Sequence, residues 1–439
     1  MHCSVRALKA LTTAALACAL ASAAHAHADS EGPVTAGQPA AKGLAAPTLA
    51  IEHARWFDGQ RFVPGTWYVV DGKFTRRSPA RIDLRVDGRG RYAIAPYADA
   101  HNHNLQGSWM ATRQAAAMVR DGVFYSAQLC ANPAHTAEFR GLMGQAGLPD
   151  VLYATACLSA SDGHPLGLFM HLAQQAGQAE PDVAEGRRMY VPVDDAAQLA
   201  GAWPGVLAGR PDFIKVILVD SAHHAERKGR PELMGDNGLD PALLPEVVQR
   251  ARAAKLRVVA HADTAADLKA AVDAGADLIA HLPGYHFDKR LTPADYRLDD
   301  ATIALMARRG VPLVATASVP VTMVGLKGEA LAAVQALQRD NLQRLLKAGV
   351  RVLIGSDNPF GGPLDEVAYL DAMQLMPRAE LLDTLTRHTP RALFPGRAIG
   401  GFEEGAEASL LLLDGDPLQD LGALRRIRLR VKQGSVLAF

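Results

Sequence analysis

Ile94-Ala95-Pro96-Tyr97-Ala98-Asp99-Ala100-His101-Asn102-His103 runs from an apolar strand into two histidines and then a polar loop. Residues two apart on an extended chain point to the same side, so His101 and His103 can grip one ion together. Imidazole nitrogens suit zinc and related borderline metals. Downstream, Lys215 lies within Phe213-Ile214-Lys215-Val216-Ile217-Leu218, and His261 closes Arg257-Val258-Val259-Ala260-His261. His281 closes Leu278-Ile279-Ala280-His281, and Asp357 follows Leu353-Ile354-Gly355-Ser356. Each of these four marks the exit of a short apolar run. In a barrel of alternating strands and helices, such exits converge on one mouth. Six residues in that position predict a metal site there.

Working outward, apolar runs at 92–99, 122–129, 151–160, 213–220, 257–262, 278–282, 311–315 and 351–355 predict eight strands. Runs apolar on both faces suit a parallel sheet covered by helices. Helical patterns separate them. Thr264 and Asp267 form a capping box with Gly275 as terminator, and Leu331, Val334, Leu337, Leu342 and Leu345 recur at helical spacing over 329–346. The expected fold class is therefore α/β, with a (β/α)8 TIM-like barrel over 93–396. An open doubly wound sheet is the alternative, but no Gly-x-Gly-x-x-Gly follows the first strand. Both chain ends read differently. Residues 49–86 alternate short runs with Asp58-Gly59 and Asp71-Gly72 turns, and the tail repeats the pattern at Asp414-Gly415 and Gln433-Gly434. Termini often lie close together, so 47–92 and 397–439 are expected to form one small β-sandwich domain.

Lys+Arg and Asp+Glu are both 46, which leaves no charge footprint for nucleic acid or an anionic membrane. The expected partner is a small molecule, and self-association into a homo-oligomer is compatible with this composition. Arg6 and Lys9, the apolar stretch 10–21 and Ala24-His25-Ala26 read as a signal peptide over 1–26. A flexible Ala/Gly/Pro-rich spacer follows over 27–46. The protein is thus expected in the periplasm or outside the cell, free of the membrane after cleavage. Cys130 and Cys157 fall on the second and third predicted strands and could pair in an oxidising compartment. Two small buried apolar side chains is the simpler reading.

An ammonium at Lys215, inside an apolar strand, is expensive to bury and cannot ligate a metal. It must pair with a carboxylate, or be neutralised and react with carbon dioxide to a carbamate (N6-carboxylysine), whose two oxygens can bridge two cations. His261 and His281 would hold the second ion. Asp357 can touch a metal and act as general base.

These residues, with Ala260-His261-Ala262, Ala280-His281-Leu282-Pro283, Gly355-Ser356-Asp357, Phe57-Asp58-Gly59, Asp71-Gly72-Lys73 and Leu413-Asp414-Gly415-Asp416-Pro417-Leu418, resemble the amidohydrolase superfamily across nearly all of the chain after the signal peptide. The branch they are most similar to holds the imidazolonepropionase-like enzymes and binuclear dipeptidases with a carboxylated lysine. The resemblance implies two divalent metal ions, zinc by default. His101, His103 and Asp357 would hold the inner ion, His261 and His281 the outer, with carboxylated Lys215 between. It implies that hydroxide shared by the metals cleaves an amide, cyclic amide, dipeptide or N-acyl amino acid bond, Asp357 carrying the proton to the leaving nitrogen. His164 in Ser161-Asp162-Gly163-His164-Pro165 resembles a pocket element of this branch, and His164 and Tyr285 are the expected substrate contacts. His223, His224, Arg227, Lys228, Arg230 and His286 occupy exit loops too, the arginines and lysine being able to attract a carboxylate. The chain departs from the family at Pro96-Tyr97, where Pro-Gly is usual, which is expected to change the pocket floor, and at Ala408-Ser409-Leu410, where Ala-Asp-Leu is common. An ester, lactone or phosphotriester hydrolase would use the same metals, and a non-catalytic periplasmic binding protein is the reading outside enzymology.

Overall fold

The structure, a computed structural model, describes residues 47–106, 108–140, 142, 145–175, 177 and 190–439. The expected signal peptide and spacer lie outside the described residues.

The N-terminal segment forms β1 (Leu49–Phe57), β2 (Phe62–Val70), β3 (Lys73–Thr75), β4 (Leu84–Asp87) and β5 (Tyr92–Ile94). The barrel region follows with β6 (Tyr97–Asn102), β7 (Val123–Gln128), β8 (Asp150–Tyr153), β9 (Cys157–Ser159) and β10 (Tyr190–Pro192). It continues through β11 (Phe213–Leu218), β12 (Arg257–Ala262), β13 (Leu278–Ile279), β14 (Leu313–Val314) and β15 (Val352–Leu353). The tail adds β16 (Leu410–Leu413), β17 (Ile427–Lys432) and β18 (Ser435–Leu437). Both ends of the chain share one eight-stranded sheet in the order β18-β17-β16-β5-β1-β2-β3, with β4 on β1. Asp71 and Gly72 turn β2 into β3 with φ of 50° and 73°, the conformation that a two-residue hairpin demands. Trp56, Trp67 and Phe74 from the front pack with Leu410, Leu412 and Val431 from the tail, so neither segment has a complete core alone.

In the barrel, β6-β7-β8 and β9-β11-β12-β13-β14-β15 are parallel runs. Two backbone bonds carry the wall across the β8/β9 step, Ala154 N–H to Gln128 O (3.0 Å) and Asp212 N–H to Tyr153 O (2.8 Å). Two more close it, Ala100 N–H to Ile354 O (2.9 Å) and Asp357 N–H to His101 O (2.8 Å). Counting β8 and β9 as one stave gives eight, while β10 adds to β9 at the rim.

Four expectations change. Residues 92–99 are not one strand: Tyr92–Ile94 pairs with β16 in the terminal sheet, and the barrel begins at Tyr97. Pro96, which has no N–H to donate, lies at the break. The Tyr97 hydroxyl bonds the Leu424 carbonyl (2.8 Å), so this departure from Pro-Gly fills the joint with the tail rather than the pocket floor. The run 151–160 is likewise broken at Thr155, whose φ is 65°. Finally, Cys130 and Cys157 are not free apolar side chains. They form a disulfide with Cα atoms 5.4 Å apart, because β7 and the β8/β9 stave are neighbours in the wall.

Helix Ala265–Ala274 begins at the reciprocal Thr264–Asp267 capping box and ends at Gly275 with φ of 92°. Helix Gly328–Lys347 buries Val334, Leu337, Leu342 and Leu345, while Leu331 is only partly covered. At the site itself, Gly355 is sterically required. A Cβ on Gly355 would meet Val314 Cγ1 at 2.4 Å and His101 Cβ at 2.7 Å. Gly355→Ala is therefore expected to destabilise the fold by about 1–3 kcal/mol, the range for overpacking, and to displace His101. A denaturant melt checks it; an unchanged midpoint refutes the steric account.

Candidate metal centre

Strand exits bring His101, His103 and Asp357 together. One ligand atom from each lies within 4.8 Å of the others. His101 Nε2 and His103 Nε2 both stand 3.1 Å from Asp357 Oδ1. The other two histidines continue the same wall: ring centroids are 4.4 Å apart for His101–His281 and 4.2 Å for His281–His261. Lys215 lies on β11 beside β12, which carries His261. Its side chain is buried, and Nζ has no hydrogen-bond partner among the described residues.

The ring nitrogens are already sorted. His101 Nδ1 donates to the Ala280 carbonyl at 2.7 Å, which leaves Nε2 facing Asp357. His103 Nδ1 contacts the Gln106 amide, leaving Nε2 likewise. His261 Nε2 is bonded to Asp263 Oδ1 at 2.8 Å, so Nδ1 is its free donor atom. His281 Nδ1 meets Thr316 Oγ1 at 3.0 Å. Metal-binding histidines are held in this manner, with the second nitrogen fixed by a protein partner.

Burial pulls the Lys215 ammonium down to about 7, against the opposing pull of Asp357 and Asp263. A large share of this amine is thus neutral near neutral pH, as carbamate formation requires. Burial also lowers His101 to about 4, although Asp357 opposes it, so the ring is neutral and able to ligate. Asp357 itself is pushed up by burial, but the His101 and His281 rings and its hydrogen bonds hold it well below the usual carboxylate range. Histidine nitrogens gathered around one ionised carboxylate have the donor chemistry that a divalent cation takes. By this chemistry His101, His103 and Asp357 would hold one ion, His261 and His281 the other, and Lys215 both.

His164 joins the cluster, its ring stacked on His261 at 5.4 Å, and burial lowers it to about 4. Tyr285 also lies at the mouth, 5.6 Å from His281, with its hydroxyl donating to Asp263. The remaining exit-loop candidates do not join it. Arg227 is buried and occupied by Asp220 and Asn237. Lys228 donates to the Asp194 carbonyl, and Arg230 pairs with Glu232. His223 pairs with Asp220 while 43% exposed, His224 approaches Asp240, and His286 is exposed against Tyr285. The expected attraction of a carboxylate by these cations is therefore corrected at Arg227 and Arg230, whose charges are already matched.

Sequence reasoning missed two carboxylates. Asp263 takes both His261 and Tyr285, and its position two residues beyond His261 follows the same alternation that paired His101 with His103. Asp99 accepts from Ser356 N (3.0 Å), Ser356 Oγ (2.7 Å) and His101 N (3.1 Å), tying the first exit to the last.

The sequence profile of the amidohydrolase family matches residues 92–437. The chain belongs to that family. Ochratoxinase of Aspergillus niger is 29% identical to this amidohydrolase over 191 residues, 41% of this chain and 37% of that protein. The alignment thus spans little more than a third of that relative. Over solved structures, A. niger ochratoxinase superposes with a TM-score of 0.70 at 19% identity, covering 90% of this amidohydrolase and 96% of that chain. An Xaa-Pro dipeptidase with bound methionine gives 0.68 at 18% identity, covering 89% and 100%. At such identities the structural likeness establishes the fold, a barrel with a β domain built from both ends.

Proposed function

We propose that this amidohydrolase is a two-metal enzyme that cleaves an amide carbon–nitrogen bond in a small molecule, with dipeptides and N-acyl amino acids as the substrate class. The observation that carries it is the meeting of His101, His103 and Asp357 within 4.8 Å, together with a buried Lys215 amine that has no partner among the described residues. Names among the relatives support the choice of bond, since the structural neighbours include a prolidase with bound N-methylphosphonate-L-proline and an Xaa-Pro dipeptidase.

A divalent pair, when bound, supplies Lewis acidity toward a carbonyl and acidifies water near neutral pH. The protein does the rest. Asp357, kept ionised by the rings around it, takes the proton of the attacking water and passes it to the leaving nitrogen, which must depart as an amine. His164, neutral and at the mouth, offers an N–H to the substrate. Tyr285 keeps its proton, because burial and Asp263 hold the phenol well above its ordinary range; that proton is given to Asp263, so the ring serves as a wall. Export to an oxidising compartment is part of this proposal and draws support from the Cys130–Cys157 disulfide. Among the described residues no helix is long and apolar enough to cross a membrane.

Metal analysis of the purified protein, with panels of dipeptides, N-acyl amino acids, lactones and phosphotriesters, tests the proposal. The expected result is two equivalents of divalent metal, turnover of the amide panel, and loss of that turnover on chelation with recovery on adding zinc. Full activity after complete metal removal, or turnover confined to lactones and phosphotriesters, would sink it.

A further inference from the structure

One carboxylate lies behind the site with no cation to balance it. Glu366, on helix Pro363–Met373, is fully buried, and no Arg or Lys pairs with it among the described residues. A carboxylate buried without a cation is costly, and burial pushes this one up to about 7 against the hydrogen bonds that favour its charge. Its oxygens accept from the backbone N–H groups of Ala317 and Ser318, both at 2.8 Å. Those two residues follow Thr316 in the loop that leaves β14.

The same loop is tied from a second side. Gln338, on helix Gly328–Lys347, donates to the Ala317 carbonyl at 3.0 Å, and the Tyr369 hydroxyl donates to Gln338 Oε1 at 2.8 Å. Between these ties Thr316 has a φ of 44°. A β-branched residue there is a true outlier that persists only when the surroundings over-determine it. Its hydroxyl emerges 3.0 Å from His281 Nδ1, nearer than the 3.6 Å to Asp357 Oδ2. The nearer oxygen holds the ring: Nδ1 is paired with the Thr316 hydroxyl, and Nε2 is the nitrogen left for an ion.

We propose that Glu366 is a positioning residue, which holds the β14 exit loop so that the Thr316 hydroxyl orients His281 as a metal ligand. This rests on the two-metal reading above. Neither Glu366 nor Thr316 touches substrate. Their action runs through the backbone of residues 316–318 to one imidazole.

The test uses the full-length protein and three variants. Thr316→Val keeps the shape and removes the hydroxyl, Thr316→Ser restores it, and Glu366→Gln sets an amide N–H against a backbone N–H. Zinc affinity is measured by competition with a chromophoric chelator, beside kcat, KM and the melting temperature. Thr316→Val and Glu366→Gln are expected to weaken one of two zinc equivalents by about 10–100-fold. Thr316→Ser should lie within a few-fold of the wild type. In kinetics kcat should fall while KM stays. If Glu366→Gln does not fold, Thr316→Val with its serine rescue decides. Unchanged zinc affinity in a folded Thr316→Val variant overturns the inference and leaves the two-metal reading standing. A wild type that binds no zinc overturns both.

Discussion

Lys215→Met leaves a folded protein that is at least as stable as the wild type in the absence of metal and has lost the reaction. The two effects have separate causes. Methionine occupies a similar volume and has no proton to satisfy, whereas Lys215 Nζ is buried without a hydrogen-bond partner among the described residues. Removing such a group relieves a penalty of about 1–3 kcal/mol. Its pH dependence has a definite sign. The folded-state value is about 7 against an ordinary 10.5, so the folded protein gives up the proton first. Metal-free stability therefore rises with pH between those two values, and the penalty is complete below the lower one. The gain from methionine should be larger at about pH 6 than at about pH 9. Activity goes the other way. On the two-metal proposal no carbamate could then form to hold the ions, and turnover should fall on the order of 10²–10³-fold or more. Thermal melts of chelated protein and kcat of zinc-loaded protein check the two halves. A methionine variant that binds two zinc ions and turns over like the wild type refutes the bridging role.

Asp357→Asn should lower kcat by about 10²–10⁴-fold, the range for loss of a positioned acid–base group. Asparagine keeps the shape but can neither take a proton nor supply charge to an ion. KM should change far less, because the Asp357 carboxylate is turned onto the His101 and His103 nitrogens. His101 does not become charged in response. Asp357 is one of the groups that raise His101, so its loss lowers that ring further below about 4. The metal-free stability profile changes at its acid end. The Asp357 carboxylate is held below its ordinary value, so it contributes stability above about pH 4 that is lost as the pH falls. The asparagine variant should lack that acid-dependent loss. Steady-state kinetics and acid melts are the measurements; a kcat within a few-fold of the wild type would exclude the proton-transfer role.

The contrast between what was legible beforehand and what was not follows chain distance. His101 and His103 are two residues apart, so strand alternation alone pairs them. Thr264 and Asp267 cap their helix through local bonds, and Asp71-Gly72 turns its hairpin for equally local reasons. The break of 92–99 into two strands was hidden, because an apolar run does not reveal that Tyr92–Ile94 bonds to a strand from the far end of the chain. The disulfide was open for the same reason, since spacing says nothing about which neighbours the wall brings together. Asp263 and Asp99 went unread because a buried carboxylate beside a histidine looks, in sequence, like any loop aspartate. Arg227 was read as an open cation and is instead enclosed by Asp220 and Asn237.

By itself the sequence determined the strand and helix rhythm, the β character of both ends and the identity of the groups at each strand exit. These depend on periodicity, turn chemistry and side-chain type, which act over a few residues. Only the tertiary structure decided which ring nitrogen each histidine presents, that the Lys215 amine is left without a partner, and that Glu366 reaches the loop behind His281. Those outcomes depend on which distant backbone and carboxylate groups are brought within hydrogen-bonding distance. Barrel closure sets that distance; residue order along the chain does not.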